Sequence, residues 1–283
     1  MSHWTDKAIS GAYAAFRPAY PAALLDFVAS RSPRRGLGLD VGCGTGQVAK
    51  GLAAAFHHVH GVDPSATQLQ AAFAAPNVSY SVGDASSFYQ GQVAADASSP
   101  SAGAKADLVT VAQAMHWFDI PAFEAQLSRH LAPDGVLCAW MYPLLDVVHR
   151  SEANAVFKHL DHMMMAGGHW PPERRHIDNR YVELLPKFRE FRLVDERSFF
   201  DVKDVTVSSF VNYLGTMSGI DRYVKSQNID KSEFLGKLHD RFSILASADV
   251  TCDDDGSTLK SGMLRLRHEF LVFTLARRPS AKL

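Results

Sequence analysis

The stretch that decides the reading is Asp40-Val41-Gly42-Cys43-Gly44-Thr45-Gly46, which follows the apolar run Leu37-Gly38-Leu39 and precedes Gln47-Val48-Ala49. An apolar run that ends in glycines and resumes with helical spacing signals strand, turn and helix. Glycines permit positive φ and let the backbone approach a ligand with no Cβ in the way. Two ligand classes compete for such a turn. The dinucleotide fingerprint G-x-G-x-x-G, counted from Gly42, needs small residues at 42, 44 and 47, and position 47 is Gln. The pattern is instead acidic-x-G-x-G-x-G, with Asp40 at the end of the strand.

Working outward, apolar runs alternate with helix-patterned segments. The spacing predicts strands over 37–41, 58–62, 78–82, 107–111 and 136–141, and helices over 47–56, 65–74 (capped by Ser65) and 123–131. Strand–helix alternation predicts an α/β, Rossmann-like, doubly wound and mostly parallel sheet. Residues 191–200 and 264–275 alternate apolar and polar side chains, as antiparallel strands do, so the sheet is expected to end in an antiparallel C-terminal strand. Helices are predicted within 144–187, around Phe157, Leu160 and Met163–Met165, and over 205–217 and 231–246. They form a helical cap after the fifth strand, where the ligand edge of such a sheet lies. The run 89–106, YQGQVAADASSPSAGAKA, is rich in Ala, Ser and Gly and reads as a flexible insertion.

The composition narrows the function classes. Lys and Arg number 29 against 30 Asp and Glu, for a net charge of −1, which disfavours a nucleic-acid partner. No apolar run approaches the roughly 18 residues that span a bilayer, and MSHWTDKAIS lacks a secretory pattern, so no membrane partner is expected. Cys43, Cys138 and Cys252 are too scattered for a disulfide framework. The thirteen histidines, His57, His58 and His60 among them, show no metal-ligand spacing, and no metal site is expected. An intracellular chain follows, in the cytoplasm or a peroxisome-like organelle. The ending Ala281-Lys282-Leu283 differs by one small-residue swap from the S-K-L peroxisomal address, so an import receptor is a candidate partner.

Asp40-Val41-Gly42-Cys43-Gly44-Thr45-Gly46 resembles the first motif of class I S-adenosylmethionine (SAM)-dependent methyltransferases. Gly61-Val62-Asp63-Pro64-Ser65 is similar to their second-strand acidic motif, and Gly83-Asp84-Ala85 to the segment after their third strand. Tyr13-x-x-x-Arg17-Pro18-x-Tyr20-Pro21, His116-Trp117-Phe118-Asp119 and Trp170-Pro-Pro-Glu-Arg-Arg175 resemble a small-molecule branch that includes the trans-aconitate methyltransferases. The likeness covers about 13–141. It implies SAM as cofactor, bound by Tyr13, Arg17, Asp40, Gly42, Cys43, Gly44, Gly46, Asp63, Pro64, Ser65, Gly83, Asp84, Ala85, Gln113, Ala114 and His116. It implies further that 1–35 fold over the cofactor, that 36–142 form the SAM-binding core, and that 143–188 and 203–255 are cap segments. The remaining core strands are then 189–202 and 256–278, and 279–283 a tail.

Residue chemistry agrees. Asp63, 23 residues beyond Asp40, ends the second strand, where a carboxylate accepts ribose hydroxyls; the alternative for Asp63 and Asp84 is a helix cap or turn residue. Cys43 reads as a small residue of the turn and not a nucleophile. His116 is either a general base or a hydrogen-bonding wall beside Trp117. Trp117, Tyr142 and Trp170 are candidate walls for the acceptor, whereas Trp140 lies within a strand and reads as core. Arg174 and Arg175 are either a receptor for an acidic molecule or a solvated pair. The function this implies is methyl transfer to a small molecule, with O-methylation of a carboxylate as the expected reaction. An NAD(P)-dependent oxidoreductase and a silent methyltransferase-like binding protein are the alternatives.

Overall fold

The computed structural model describes residues 19–88, 104–252 and 254–279. Tyr13, Arg17, nearly all of the 89–106 insertion and Ala281-Lys282-Leu283 lie outside them. The chain divides into two compact units. Of the described residues, one contains those within 19–143, 175–199 and 270–279, and the other those within 144–174 and 200–269. No helix among the described residues is long and apolar enough to cross a membrane.

In the first unit, α1 (Ala22–Arg31) precedes β1 (Leu37–Val41), α2 (Gln47–Leu52), β2 (His58–Asp63), α3 (Ala66–Gln70) and β3 (Val78–Val82). Then come β4 (Ala106–Ala112), a 3-10 turn at Met115–Trp117, α4 (Ile120–His130) and β5 (Leu131–Met141). The strand order is β3-β2-β1-β4-β5, all pairs parallel. The order reverses between β1 and β4, so the crevice that binds ligands in open α/β sheets opens beyond their carboxyl ends. The far side is closed by β10 (Met263–Arg277), whose residues 271–276 run antiparallel to β5, with β7 (Phe191–Thr206) paired to β10.

Apolar residues alternate across this sheet because side chains do. Leu37, Leu39, Val41, Leu137, Ala139 and Met141 face a core shared with Phe123 and Leu127 of α4; Cys138, Trp140 and Val272 face another shared with Leu24 of α1 and Val48 of α2. Trp140 is fully buried, as a core residue. Glu124 of α4 is buried as well, and its carboxylate accepts the backbone N–H groups of Arg189, Glu190 and Phe191 at 2.8–3.2 Å, which fixes the start of β7.

Several expected elements change length. The helix expected over 47–56 stops at Leu52; it contains Gly51, where any Cβ would strike Leu25 of α1. The helix expected over 65–74 stops at Gln70, and the chain turns back so that Phe73 N–H donates to Thr45 O at 3.1 Å. Ser65 caps it as expected, accepting from Gln68 N–H. The insertion ends short of Ala106, which is the first residue of β4.

The second unit contains β6 (Asp146–Val148), α5 (Ser151–Ala166), α7 (Val207–Gly215), α8 (Ser218–Ser226) and α9 (Lys231–Leu245), the short α6 (Arg174–Asp178) starting at its boundary. A small hairpin pairs β8 (Val250–Thr251) with β9 (Thr258–Leu259), and β6 pairs antiparallel with Arg265–Arg267 of β10. Phe157, Phe210, Leu214 and Phe242 fill its own core. The helix expected from 205 begins at Val207, because Thr206 is its cap and β7 runs on to that residue.

Candidate active site

Asp40 and Thr110 are register partners across the reversal point, and Thr110 Oγ1 donates to Asp40 Oδ1 at 2.9 Å. Asp40 is fully buried, and its Oδ2 has no hydrogen-bond partner among the described residues. Burial pushes its carboxyl up to about 7; the Thr110 bond pulls the other way and the Asp63 charge adds to the rise. A buried carboxylate with one unshared oxygen carries a desolvation cost that a bound cation relieves.

The turn that follows is dictated by its glycines. Gly42, Gly44 and Gly46 hold φ of +75°, +56° and +77°. A Cβ on Gly42 would lie 2.7 Å from the Ala114 Cβ, so this glycine also lets the turns after β1 and β4 touch. Tyr80 of β3 packs over Gly61 and reaches Gly46, and its hydroxyl donates to Phe73 O at 2.7 Å. Cys43 is buried in this turn, where burial and the Asp40 and Asp63 charges push its thiol up, so it stays a neutral packing group.

Asp63 closes the turn from the neighbouring strand. Its Oδ2 accepts Gly44 N–H at 2.9 Å and its Oδ1 accepts Ser65 N–H at 2.8 Å. Each carboxylate oxygen has two acceptor directions, so both retain capacity for a ligand hydroxyl. Pro64 lies between Asp63 and Ser65, and Gly83 N–H donates to Asp63 O at 3.2 Å, bringing the third acidic segment alongside. Asp84 Oδ1 accepts Ser86 N–H and the Ser86 and Ser87 hydroxyls at 2.6–3.0 Å. Those bonds hold its carboxyl below the usual range, and Ala85 beyond it packs on the core.

After β4 the backbone departs from ordinary geometry. Gln113 has φ +51°, and its amide pairs with the backbone of Tyr142, accepting at 2.9 Å and donating at 3.1 Å. Its side chain thus extends the β4–β5 ladder and sets where Ala114 and the 3-10 turn begin. His116 is buried there, Nδ1 lying 3.4 Å from the Tyr181 hydroxyl. Tyr181 is fully buried and burial raises its hydroxyl, so it remains a neutral positioning group. Trp117 leans on the His116 ring at 4.9 Å and is half exposed.

Carboxylates at this edge suit one ligand class. A pyrophosphate beside Asp40 and Asp63 would meet like charge, whereas an ammonium and a ribose would meet acceptors.

Comparison with known proteins agrees with that chemistry. A family model for the methyltransferase domain matches residues 39–137. A Dictyostelium discoideum protein named as a methyltransferase is 31% identical over 223 residues, 78% of this chain and 80% of its own length. The chain belongs to the methyltransferase family. The solved structure of an Anaeromyxobacter dehalogenans protein described as a type II methyltransferase superposes with a TM-score of 0.73 at 30% identity, covering 93% of this chain and 98% of that one. A Saccharomyces cerevisiae protein named as a SAM-dependent methyltransferase, CRG1, is 30% identical over 160 residues, 52% of this chain and 50% of its own. With the acidic glycine turn and the second-strand carboxylate of the class I arrangement, the chain is a SAM-dependent methyltransferase.

The structure gives the methyltransferase's other candidate residues different surroundings. Tyr142 is buried against Phe270. In the second unit, Trp170 Nε1–H donates to Asp161 at 3.0 Å and packs over Gly219, where a Cβ would sit 2.9 Å from the indole. The Arg174 guanidinium stacks on Trp170, 4.6 Å from the ring centroid, and pairs with Asp161 at 3.7 Å. Arg175 is mostly exposed and pairs loosely with Glu183 at 3.7 Å. Sequence reasoning missed Thr110, Tyr80 and Tyr181. Only Thr110, the one hydroxyl in a strand otherwise apolar apart from Asp107, carried a local signal.

Proposed function

We propose that this methyltransferase transfers the SAM methyl group to a carboxylate oxygen of a small acidic molecule, in the manner of the trans-aconitate branch that its sequence resembles. The unshared, buried Asp40 Oδ2 at the reversal point is the observation that supports cofactor seating there. Asp40 would accept from the amino group of the cofactor, Asp63 from its ribose hydroxyls and Asp84, through its second oxygen, from the adenine amine. The glycine turn gives these groups close approach. Bound there, SAM supplies an electrophilic methyl whose transfer releases a neutral thioether.

The chain's own contribution is then alignment and exclusion of water, worth roughly 7–11 kcal/mol for well-oriented partners. A carboxylate acceptor is already ionised, so no residue has to remove a proton from it. His116, held by Tyr181, orients and walls; Trp117 supplies an exposed aromatic face. Arg175 is the guanidinium suited to an acidic acceptor, since Arg174 is engaged by Asp161 and Trp170.

Thermal-shift measurement tests the cofactor. SAM or S-adenosylhomocysteine at about 100 times Kd should add roughly 2.7 kcal/mol, and NAD(P) nothing. A labelled-methyl screen tests the acceptor: di- and tricarboxylates should be labelled and phenols and amines not. Arg175→Ala should raise KM for the acid and leave SAM affinity alone. Labelling confined to phenols or amines overturns the carboxylate reading.

A further inference from the structure

His149, at the end of β6, and the hairpin tip between β8 and β9 lie about a hundred positions apart in the chain, yet they meet within the second unit. His149 Nε2 sits 3.2 Å from Asp254 Oδ1, and one ligand atom each from His149, Cys252 and Asp254 fall within 4.8 Å of one another. From these three donors we infer a binding site for a zinc-type divalent metal ion, separate in sequence and chemistry from the methyl-transfer site.

The donor chemistry selects the ion. A thiol, an imidazole and a carboxylate together suit Zn2+ and its neighbours, not Mg2+ or Ca2+, which require sets of oxygens. Zinc bonds of about 2.0–2.3 Å give tetrahedral edges of about 3.3–3.6 Å. The His149–Asp254 separation is already near that edge, so only the sulfur has to close in.

The ligands stand on an organised support. His149 has φ +61°, in the left-handed region that non-glycine residues seldom adopt. Its neighbour Arg150 is buried and donates to the carbonyls of Leu245, Ala248, Lys260 and Met263 at 2.8–3.4 Å. At the tip, Gly256 N–H donates to Cys252 O at 2.9 Å and Cys252 N–H to Ser257 O at 2.8 Å. Cys252 is fully buried, and the exposed Asp254 supplies the solvent side.

Charge also fits. Binding releases the thiol proton, leaving thiolate and carboxylate on the ion. Arg265, held closely by Asp204, Asp255 and Ser257, also pairs with Asp254 Oδ1 at 3.9 Å, a longer contact that the metal ion would replace. Its charge offsets the added negative charge.

The test uses the full chain, reduced and stripped with a chelator, titrated with Co2+ and then Zn2+. One equivalent of Co2+ should give a thiolate-to-metal charge-transfer band and the visible intensity of a tetrahedral site, and Zn2+ should bleach both. Cys252→Ala should abolish the charge-transfer band, and His149→Ala should weaken Zn2+ binding by more than about 100-fold, beyond the loss seen for outer-shell partners. The wild-type spectrum needs no variant to fold. No charge-transfer band at one equivalent, or a band that survives in Cys252→Ala, overturns the site.

Discussion

Thr110 hydrogen-bonds one oxygen of Asp40 at 2.9 Å and leaves the other buried and unshared. The carboxyl therefore titrates near 7, raised from 3.8 by burial. Between those values the folded chain holds a proton that the unfolded chain has lost. This group's stability contribution is thus fully present below 3.8 and is lost as pH rises through 7. A cationic ligand reverses the preference, since it binds the ionised form. SAM affinity should rise about tenfold per unit as pH approaches 7 from below, then level off. Calorimetric titration at several pH values checks this, and Asp40→Asn should flatten the profile.

Gly46 combines a left-handed φ with the Tyr80 ring above it, where a Cβ would sit 2.9 Å from Cζ. Gly46→Ala should destabilise the fold by about 2–3 kcal/mol, from the backbone cost and the lost Tyr80 bond. Urea denaturation should register it, alongside Tyr80→Phe, which loses the hydroxyl alone and should cost about 1 kcal/mol.

Glu124 holds three backbone N–H groups at the start of β7. Glu124→Ala strands buried donors and should cost about 3 kcal/mol; Glu124→Gln keeps an acceptor and should cost less. Equal losses for the two variants in denaturant melts would show that packing, not acceptance, is what matters there.

His116 separates base from wall. Removing a general base costs 10²–10⁴-fold in rate, so on a carboxylate acceptor His116→Asn should lower kcat by less than about tenfold. Steady-state kinetics with the acid acceptor gives the answer directly.

The glycine turn, the parallel strands and the antiparallel strand β10 were legible because each is written in local periodicity and turn chemistry. The clamp around Asp40 was legible only in part: Asp40 and Asp63 stand in recognisable motifs, but Thr110 matters through a partner seventy positions away. Gln113 could be placed at the sheet edge, whereas its use as a backbone mate for Tyr142 depends on a positive φ that no pattern announces. Helix α8 was hidden by its polar composition and its brevity, and its Gly219 makes sense only under the Trp170 indole. His149 and Cys252 carried no metal-like spacing because the chain brings them together through β6 and a hairpin of two-residue strands.

Tyr80 fills volume that two glycines leave free, Gly61 of strand β2 beneath its ring and Gly46 of the turn at its hydroxyl end. The three positions are consequently not free to drift one at a time: enlarging either glycine evicts the aromatic ring, and shrinking the ring opens a void under the cofactor turn. Anyone transplanting this glycine turn onto another scaffold must carry the third strand's tyrosine with it.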